Sequence, residues 1–317
     1  MTTRNDWGMK KMVLKGFQFS DHPWISAAVL LPMIVVSVFL EFSVVRLLLL
    51  MPRYSFPYQF FSMIIGLGFL FVTLFGIMPF VFHLPKGRRS FREYLDDIGL
   101  SRIQPVKRTL LLFFSCYLFT MVSLLLGSYL YNHFVLKWSL GIFSARLFDL
   151  SRILPPQNWG LFTNVRVLGE EFLFRGVLLT VFLNKYSERK SIIISSLLWS
   201  SIHALNFLNA PLASENTMFV AGQIIWCAIY GLFYGYLFIK TGNLYLTNLI
   251  HYFGNVLMNL WVYMPYASIE TTVVNGILFF GLVSTILSIL WVKFVSTHTL
   301  FDGKSLLMSM KGIEVRD

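Results

Sequence analysis

Charged residues are scarce in this chain. Only 13% of its 317 residues are Asp, Glu, Lys or Arg, whereas about 25% is usual for a soluble domain. Hydrophobic residues make up 56% of the sequence, which excludes an ordinary water-soluble enzyme and predicts a membrane protein. Cysteine is scarce too. Cys116 and Cys227 both lie inside apolar runs, which excludes a disulfide framework.

Basic residues nevertheless outnumber acidic ones and give a net charge of +11. They fall in short connections between apolar segments and do not form one continuous patch. That distribution is typical of the cytoplasmic loops of a membrane protein. We therefore expect a lipid bilayer, and no nucleic acid, as the surroundings of this chain.

Long apolar runs dominate what is present. With about 20 residues needed for each crossing, the sequence predicts eight transmembrane helices at approximately 24–45, 59–83, 109–131, 160–184, 191–208, 218–239, 245–263 and 272–294. If the N-terminus is cytoplasmic, 19 Lys and Arg residues lie inside and four lie outside. The sequence thus predicts an all-α, multi-pass transmembrane helical bundle in the cell membrane, with both termini in the cytoplasm.

The organisation follows from these segments. We expect one membrane domain with N-terminal helices over 1–158, a core over 159–263, and a last helix with a tail over 264–317. Ser90-Phe91-Arg92-Glu93 is a capping box, which predicts a short amphipathic helix that stops at Gly99. A second surface helix is expected over 138–150.

The fourth segment contains three ionisable residues, Glu170, Glu171 and Arg175. Each costs roughly 2.5–3.5 kcal/mol at membrane depth on insertion scales. Glu171 and Arg175 are four residues apart, so they can neutralise each other on one helix face. Glu170 is left without such a reason, and an unexplained membrane carboxylate indicates a functional group.

Two further segments contain polar residues on one face. In the fifth segment, Trp199 and His203 are one helical turn apart. The seventh contains a stripe at steps of three and four, formed by Asn248, His251, Asn255 and Asn259. Lipid cannot satisfy such a stripe, so it must face protein or a water-filled cavity.

Hydrolysis is the chemistry that these residues suit. A carboxylate in an apolar pocket is a good base for water, and His203 can orient the same water. His251 and Asn255 can donate two hydrogen bonds to a developing oxyanion. No Ser or Cys occupies an obvious nucleophile position near the histidines, so a covalent intermediate is not favoured.

Two alternatives stay open at this point. His203, His251 and a glutamate could bind zinc as in a zinc-dependent membrane peptidase, although the H-E-x-x-H motif is absent. A non-catalytic immunity, scaffold or transport protein could use the same polar cluster for binding or proton relay.

Three motifs in order resemble one family. The chain has Glu170-Glu171-Phe172-Leu173-Phe174-Arg175, then Trp199 to His203, then His251 to Asn255. These are similar to the E-E-x-x-x-R, F-x-x-x-H and H-x-x-x-N/D motifs of the CPBP group, the CAAX-protease and bacteriocin-processing (Abi) intramembrane proteases. Trp199 stands where that family has Phe.

The resemblance implies an intramembrane, metalloprotease-like glutamyl endopeptidase that needs no metal or other cofactor. Its partner would be a peptide or protein substrate in or at the membrane. Carried over by motif position, Glu170 would be the general base, with His203 holding the water. His251 and Asn255 would form the oxyanion hole. Glu171 and Arg175 would be a supporting pair.

Overall fold

A computed structural model describes residues 21–49, 56–78, 91–100, 106–130, 164–208, 214–260, 273–274 and 276–297. Every secondary-structure element in these ranges is a helix, so the all-α prediction is confirmed. The α-helices are α1 Pro23–Leu49, α2 Phe56–Phe71, α3 Phe91–Asp97, α4 Val106–Leu130, α5 Val167–Glu171, α6 Thr180–Leu183, α7 Glu188–Ile202, α8 Ser214–Thr241, α9 Leu244–Leu260 and α10 Ser284–Thr297. Three π-helices, in which hydrogen bonds join residues five apart, are π1 Val72–Ile77, π2 Phe172–Leu179 and π3 Gly276–Val283.

Within the part of the chain that the structure describes, two helical stretches are long and apolar enough to cross a bilayer by themselves, Thr217–Thr241 and Gly276–Val295. Three shorter apolar stretches fall in the first three predicted segments, at Pro23–Val36, Met63–Ile77 and Thr109–Ser123. The count of eight crossings and the orientation of the termini stay predictions.

The helix boundaries differ from the predicted segments where polar residues intervene. The fifth predicted segment begins three residues earlier than expected, at Glu188, because Ser187 has an extended backbone that starts the helix. It ends as an α-helix at Ile202 and continues as a 3₁₀ turn over His203–Leu208. The fourth segment is divided among a 3₁₀ turn at Asn164–Arg166, α5, π2 and α6.

The core of the bundle forms around π2 and α6. Every side chain from Glu171 to Leu183 is buried, with α7 packed against π2 and α9 packed against α5. Helices α7 and α8 lie close together at Gly231, where an added Cβ would be 3.0 Å from both Ser196 Cβ and Trp199 Cε3. The absence of a side chain at Gly231 therefore allows this close packing of the two helices.

Helix α3 is present where the capping box predicts it, although Ser90 itself lies outside the described residues. Tyr94 and Ile98 are buried against the bundle, so this helix packs on protein with its apolar face. Tyr94 donates a hydrogen bond to the Leu74 carbonyl at 2.8 Å, and burial raises the pKa of its hydroxyl. Gly99, at φ +77°, ends the helix and accepts a hydrogen bond from the Leu244 amide. The helix expected over 138–150 lies outside the described residues.

Candidate active site

The two adjacent glutamates of α5 point to different surroundings. Glu170 is half-buried and lines a cavity. Glu171 is 0% exposed and faces the interior of the bundle. The backbone changes from α-helix to π-helix directly after them, at Phe172, and such π segments are frequent at functional sites.

Glu171 is held by two partners, the Arg175 guanidinium and the His251 ring. Its Oε1 lies 3.0 Å from Arg175 Nη1, the pair that the spacing of four predicts. The same oxygen lies 2.8 Å from His251 Nδ1. All three side chains are buried, so this is a buried ionic cluster, which needs good geometry to offset its desolvation.

Trp199 connects this cluster to Glu170. Its Nε1 donates a hydrogen bond to Glu170 Oε2 at 2.9 Å. Its ring lies edge-on to both histidine rings, with centroids 5.3 Å from His203 and 5.2 Å from His251. The Arg175 guanidinium lies 4.4 Å from the centroid of the same ring, at the distance of a cation–π contact. Trp199 thus supports the site with a polar atom that phenylalanine lacks.

His203 is the first residue after α7, where the helix tightens to a 3₁₀ turn. Its Nδ1 lies 3.3 Å from the Trp199 carbonyl oxygen, and its Nε2 lies 3.7 Å from Cys227 Sγ. The carbonyl can only accept, so in a neutral imidazole Nδ1 carries the hydrogen. Nε2 is then an acceptor.

His251 and Asn255 are one turn apart on α9, and both line the cavity. The His251 ring is stacked on Tyr234, with centroids 4.8 Å apart and planes 27° apart. Because Glu171 occupies Nδ1 of His251, Nε2 is the nitrogen left for a ligand. The polar stripe is split, since Asn248 instead donates to the Leu244 carbonyl of its own helix. The side chain of Asn259 is not among those described.

The cavity has a volume of about 530 Å³, large enough for several residues of a peptide. One wall contains Glu170, His203, His251 and Asn255. The lining from α1 and α2 is mainly apolar, with Leu30, Met33, Ile34, Leu67, Phe69 and Leu70. The structure therefore brings the catalytic candidates of three predicted segments to one space.

Several residues of the cavity have no signal in the sequence motifs. Cys227 lies beside His203, although it is 24 residues away in the chain. Tyr234 supports His251 from α8. Arg166 lies near the outer end of the fourth predicted segment, a position typical of a side chain at the membrane interface. It also lines the cavity. Repeats of three and four residues along α8 place Gln223, Cys227, Tyr230 and Tyr234 on one face. This spacing is the sequence signal that could have predicted a polar face of α8 at the site.

Metal binding is the alternative chemistry for His203, His251 and a glutamate. Within the described ranges, no three His, Cys, Asp or Glu side chains are grouped as metal ligands usually are. The donors also have other partners, since Nδ1 of His251 contacts Glu171 and Glu170 accepts from Trp199.

A family model described as Type II CAAX prenyl endopeptidase Rce1-like matches residues 157–257. The matched range contains all three motifs and every catalytic candidate, and it supports the resemblance to the CPBP proteases. No curated protein and no solved structure matches the chain.

The Rce1-like family is membrane-embedded and consists of proteases that act on protein or peptide substrates at the membrane. The match therefore implies a CAAX-protease-like hydrolase for this chain.

Proposed function

We propose that this chain is a multi-pass endopeptidase of the cell membrane that hydrolyses a peptide bond with a water activated by Glu170. Its substrate is a peptide or lipoprotein in or at the membrane, and its catalytic core lies within 159–263. One observation carries the proposal. Glu170 and His203 come from separate helices, line one cavity and contact the same residue, Trp199.

The first step is the activation of water. Trp199 binds Oε2 of Glu170, which leaves Oε1 for a water molecule. Nε2 of His203 accepts the second hydrogen of that water. Two acceptors on its hydrogens aim the oxygen lone pair at a substrate carbonyl. Glu170 takes one proton as the hydroxide oxygen bonds to the carbonyl carbon.

The negative charge that develops on the carbonyl oxygen is stabilised from α9. Nε2 of His251 and the side-chain amide of Asn255 are the donors, and such donors usually supply the largest electrostatic contribution. For Nε2 to donate while Nδ1 binds Glu171, His251 must be an imidazolium. That charge balances the site, because two carboxylates then face one guanidinium and one imidazolium.

The second step breaks the peptide bond. The carbon–nitrogen bond opens as the tetrahedral intermediate collapses, and Glu170 passes its proton to the leaving nitrogen. The products are a carboxylic acid and an amine, and transfer of a proton between them gives a carboxylate and an ammonium group. No covalent enzyme intermediate forms.

The test uses purified protein in liposomes and a fluorescence-quenched, farnesylated peptide that ends in a CAAX sequence. Wild type should cleave it, and Glu170→Gln should lose cleavage while it keeps its fold. Glu188→Gln is the matched control, because Glu188 pairs with Lys240 away from the cavity. The same peptide without its prenyl group shows whether the lipid is required. Cleavage by Glu170→Gln at the wild-type rate would overturn the mechanism and favour a role for the cluster in binding or transport.

The zinc-dependent alternative has a separate test. The glutamate mechanism predicts that a strong chelator leaves the rate unchanged and that the purified protein contains no stoichiometric metal. Loss of activity with a chelator, restored by zinc, would reassign His203 and His251 as ligands.

A further inference from the structure

A pair of amide side chains lies on the cavity wall beyond His203. Asn206 Nδ2 donates a hydrogen bond to Gln223 Oε1 at 2.9 Å, joining the 3₁₀ turn after α7 to α8. Both residues line the cavity. Asn206 is exposed and Gln223 is half-buried, so a ligand in the cavity can reach them.

The pair offers the hydrogen-bonding complement of a peptide group. The Asn206–Gln223 bond uses one donor and one acceptor, which leaves Asn206 Oδ1 as an acceptor and Gln223 Nε2 as a donor. Neither atom has another partner among the residues that the structure describes. If both amides are turned over, the free donor and acceptor exchange positions, and the complement is the same.

A peptide substrate needs such a complement in this cavity. An extended segment has a free N–H and a free C=O at each residue, and the wall formed by α1 and α2 is mainly apolar. An unpaired peptide group in apolar surroundings is costly. A neighbouring donor and acceptor on the protein remove that cost for one peptide group and fix its direction.

The pair is also adjacent to the proposed reaction centre. Asn206 follows His203 by three residues, about one turn of helix. Gln223 precedes Cys227 by four, and Cys227 Sγ lies 3.7 Å from His203 Nε2. A peptide group bound by the pair would therefore belong to a residue close to the scissile bond.

We propose that Asn206 and Gln223 form a subsite that binds the substrate backbone next to the scissile bond. The inference rests on the proposed peptidase function and adds residues outside its three motifs. A subsite of this kind contributes to substrate positioning without selecting side chains, because every residue offers the same peptide group.

The experiment couples enzyme variants to backbone changes in the substrate. The farnesylated quenched peptide is made as a series in which one non-scissile peptide bond at a time is replaced by an ester, which removes the N–H donor. Each ester is assayed with wild type and with the double variant Asn206→Leu/Gln223→Met. In wild type, the ester at the bound position should lower kcat/KM by about 2- to 10-fold, the range for one hydrogen bond. The double variant should cleave that ester and its parent peptide at similar rates.

Two controls separate binding from a structural role. Asn184→Leu removes an exposed amide from the turn between α6 and α7, away from the cavity, and should respond to the esters as wild type does. The exchanged variant Asn206→Gln/Gln223→Asn keeps a donor and an acceptor, so it should recover part of the ester sensitivity. It also covers the case in which the apolar double variant fails to fold.

The outcomes distinguish the two proposals. If wild type cleaves the parent peptide, and no ester lowers kcat/KM for wild type more than it does for the double variant, the subsite proposal is wrong. The peptidase function then stands. If the exchanged variant is cleavage-competent but insensitive to every ester, the subsite is also wrong. If wild type cleaves none of the peptides, the proposed function fails and the subsite fails with it.

Discussion

Glu171 and His251 are 80 residues apart in the chain, yet Oε1 of the first lies 2.8 Å from Nδ1 of the second. The contact joins the glutamate motif on α5 to the histidine motif on α9. Glu171 therefore has a second partner in addition to Arg175. By binding Nδ1, the carboxylate fixes the orientation of the ring and leaves Nε2 of His251 for the cavity.

The first prediction follows from this contact. Glu171→Gln keeps the shape of the side chain and removes its charge, so the imidazolium that the proposed mechanism assigns to His251 would lose its negatively charged partner. We expect kcat to fall by about 100-fold, as for loss of one oxyanion donor. KM for the farnesylated peptide should change little. Steady-state kinetics in liposomes measure both.

Stability must be separated from catalysis in this variant. Glu171→Gln leaves Arg175 buried without its carboxylate, which typically destabilises by about 3–5 kcal/mol. The double variant Glu171→Gln/Arg175→Met removes both charges and should recover much of the thermal stability while it stays inactive. Recovery of activity with stability would show that Glu171 acts through folding alone.

Cys227 gives the second prediction. Its Sγ lies 3.7 Å from His203 Nε2, a contact that could serve a thiol nucleophile. The thiol is buried, however, and Glu170 lies nearby, whereas reactive cysteines usually lie in electropositive, partly exposed sites. We expect Cys227→Ala to retain most of the activity toward the farnesylated peptide. A thiol mechanism would instead lose on the order of 10⁴-fold or more.

The sequence predicts contacts within a helix better than contacts between helices. Glu171 pairs with Arg175, and Trp199 with His203, because each pair is one turn apart on a single helix. The cavity-facing position of Glu170 is consistent with the argument that a second membrane carboxylate needs a functional reason. These interpretations need only helical periodicity and the cost of burying charge.

Contacts between helices depend on packing that one sequence does not specify. The approach of Cys227 to His203 is set by how α7 and α8 are rotated and how closely they lie. The Asn206–Gln223 pair depends on the same packing. The change to a π-helix after Glu171 has no signal in the residue pattern, because π segments share the composition of their α neighbours.

Gly231 offers the third prediction. A Cβ at this position would be 3.0 Å from Ser196 Cβ and from Trp199 Cε3, so Gly231→Ala should separate α7 from α8 or displace the indole. Overpacking costs about 1–3 kcal/mol, which exceeds the gain of about 1 kcal/mol in helix propensity. Thermal stability and cleavage rate should both fall.

Gly254→Ala is the matched comparison for Gly231→Ala. A Cβ on Gly254 has the Tyr234 hydroxyl as its nearest neighbour, at 3.9 Å, which is ordinary van der Waals contact. This substitution should leave stability unchanged or raise it by up to about 1 kcal/mol. Equal loss in both variants would show that any side chain on these helices is harmful, and that close approach at Trp199 is not the cause.

The last prediction concerns orientation in the membrane. Segments that are predicted to be cytoplasmic contact one another at one end of the bundle. The contacts are Trp24 to Tyr186 at 3.0 Å, Leu244 to Gly99 at 3.1 Å and Lys240 to Glu188 at 3.4 Å. Helix α8 leads away from this end, and at about 1.5 Å per residue it is long enough to cross a hydrocarbon core of about 30 Å.

Single-cysteine labelling tests this arrangement in intact cells. Lys185 and Thr217 are both exposed and lie near opposite ends of the bundle, whereas the native Cys116 and Cys227 are buried. A membrane-impermeant maleimide should label Thr217→Cys in intact cells and Lys185→Cys only after permeabilisation. The reverse pattern would show that the bundle has the opposite orientation in the membrane. That orientation would contradict the bias that places basic loops in the cytoplasm.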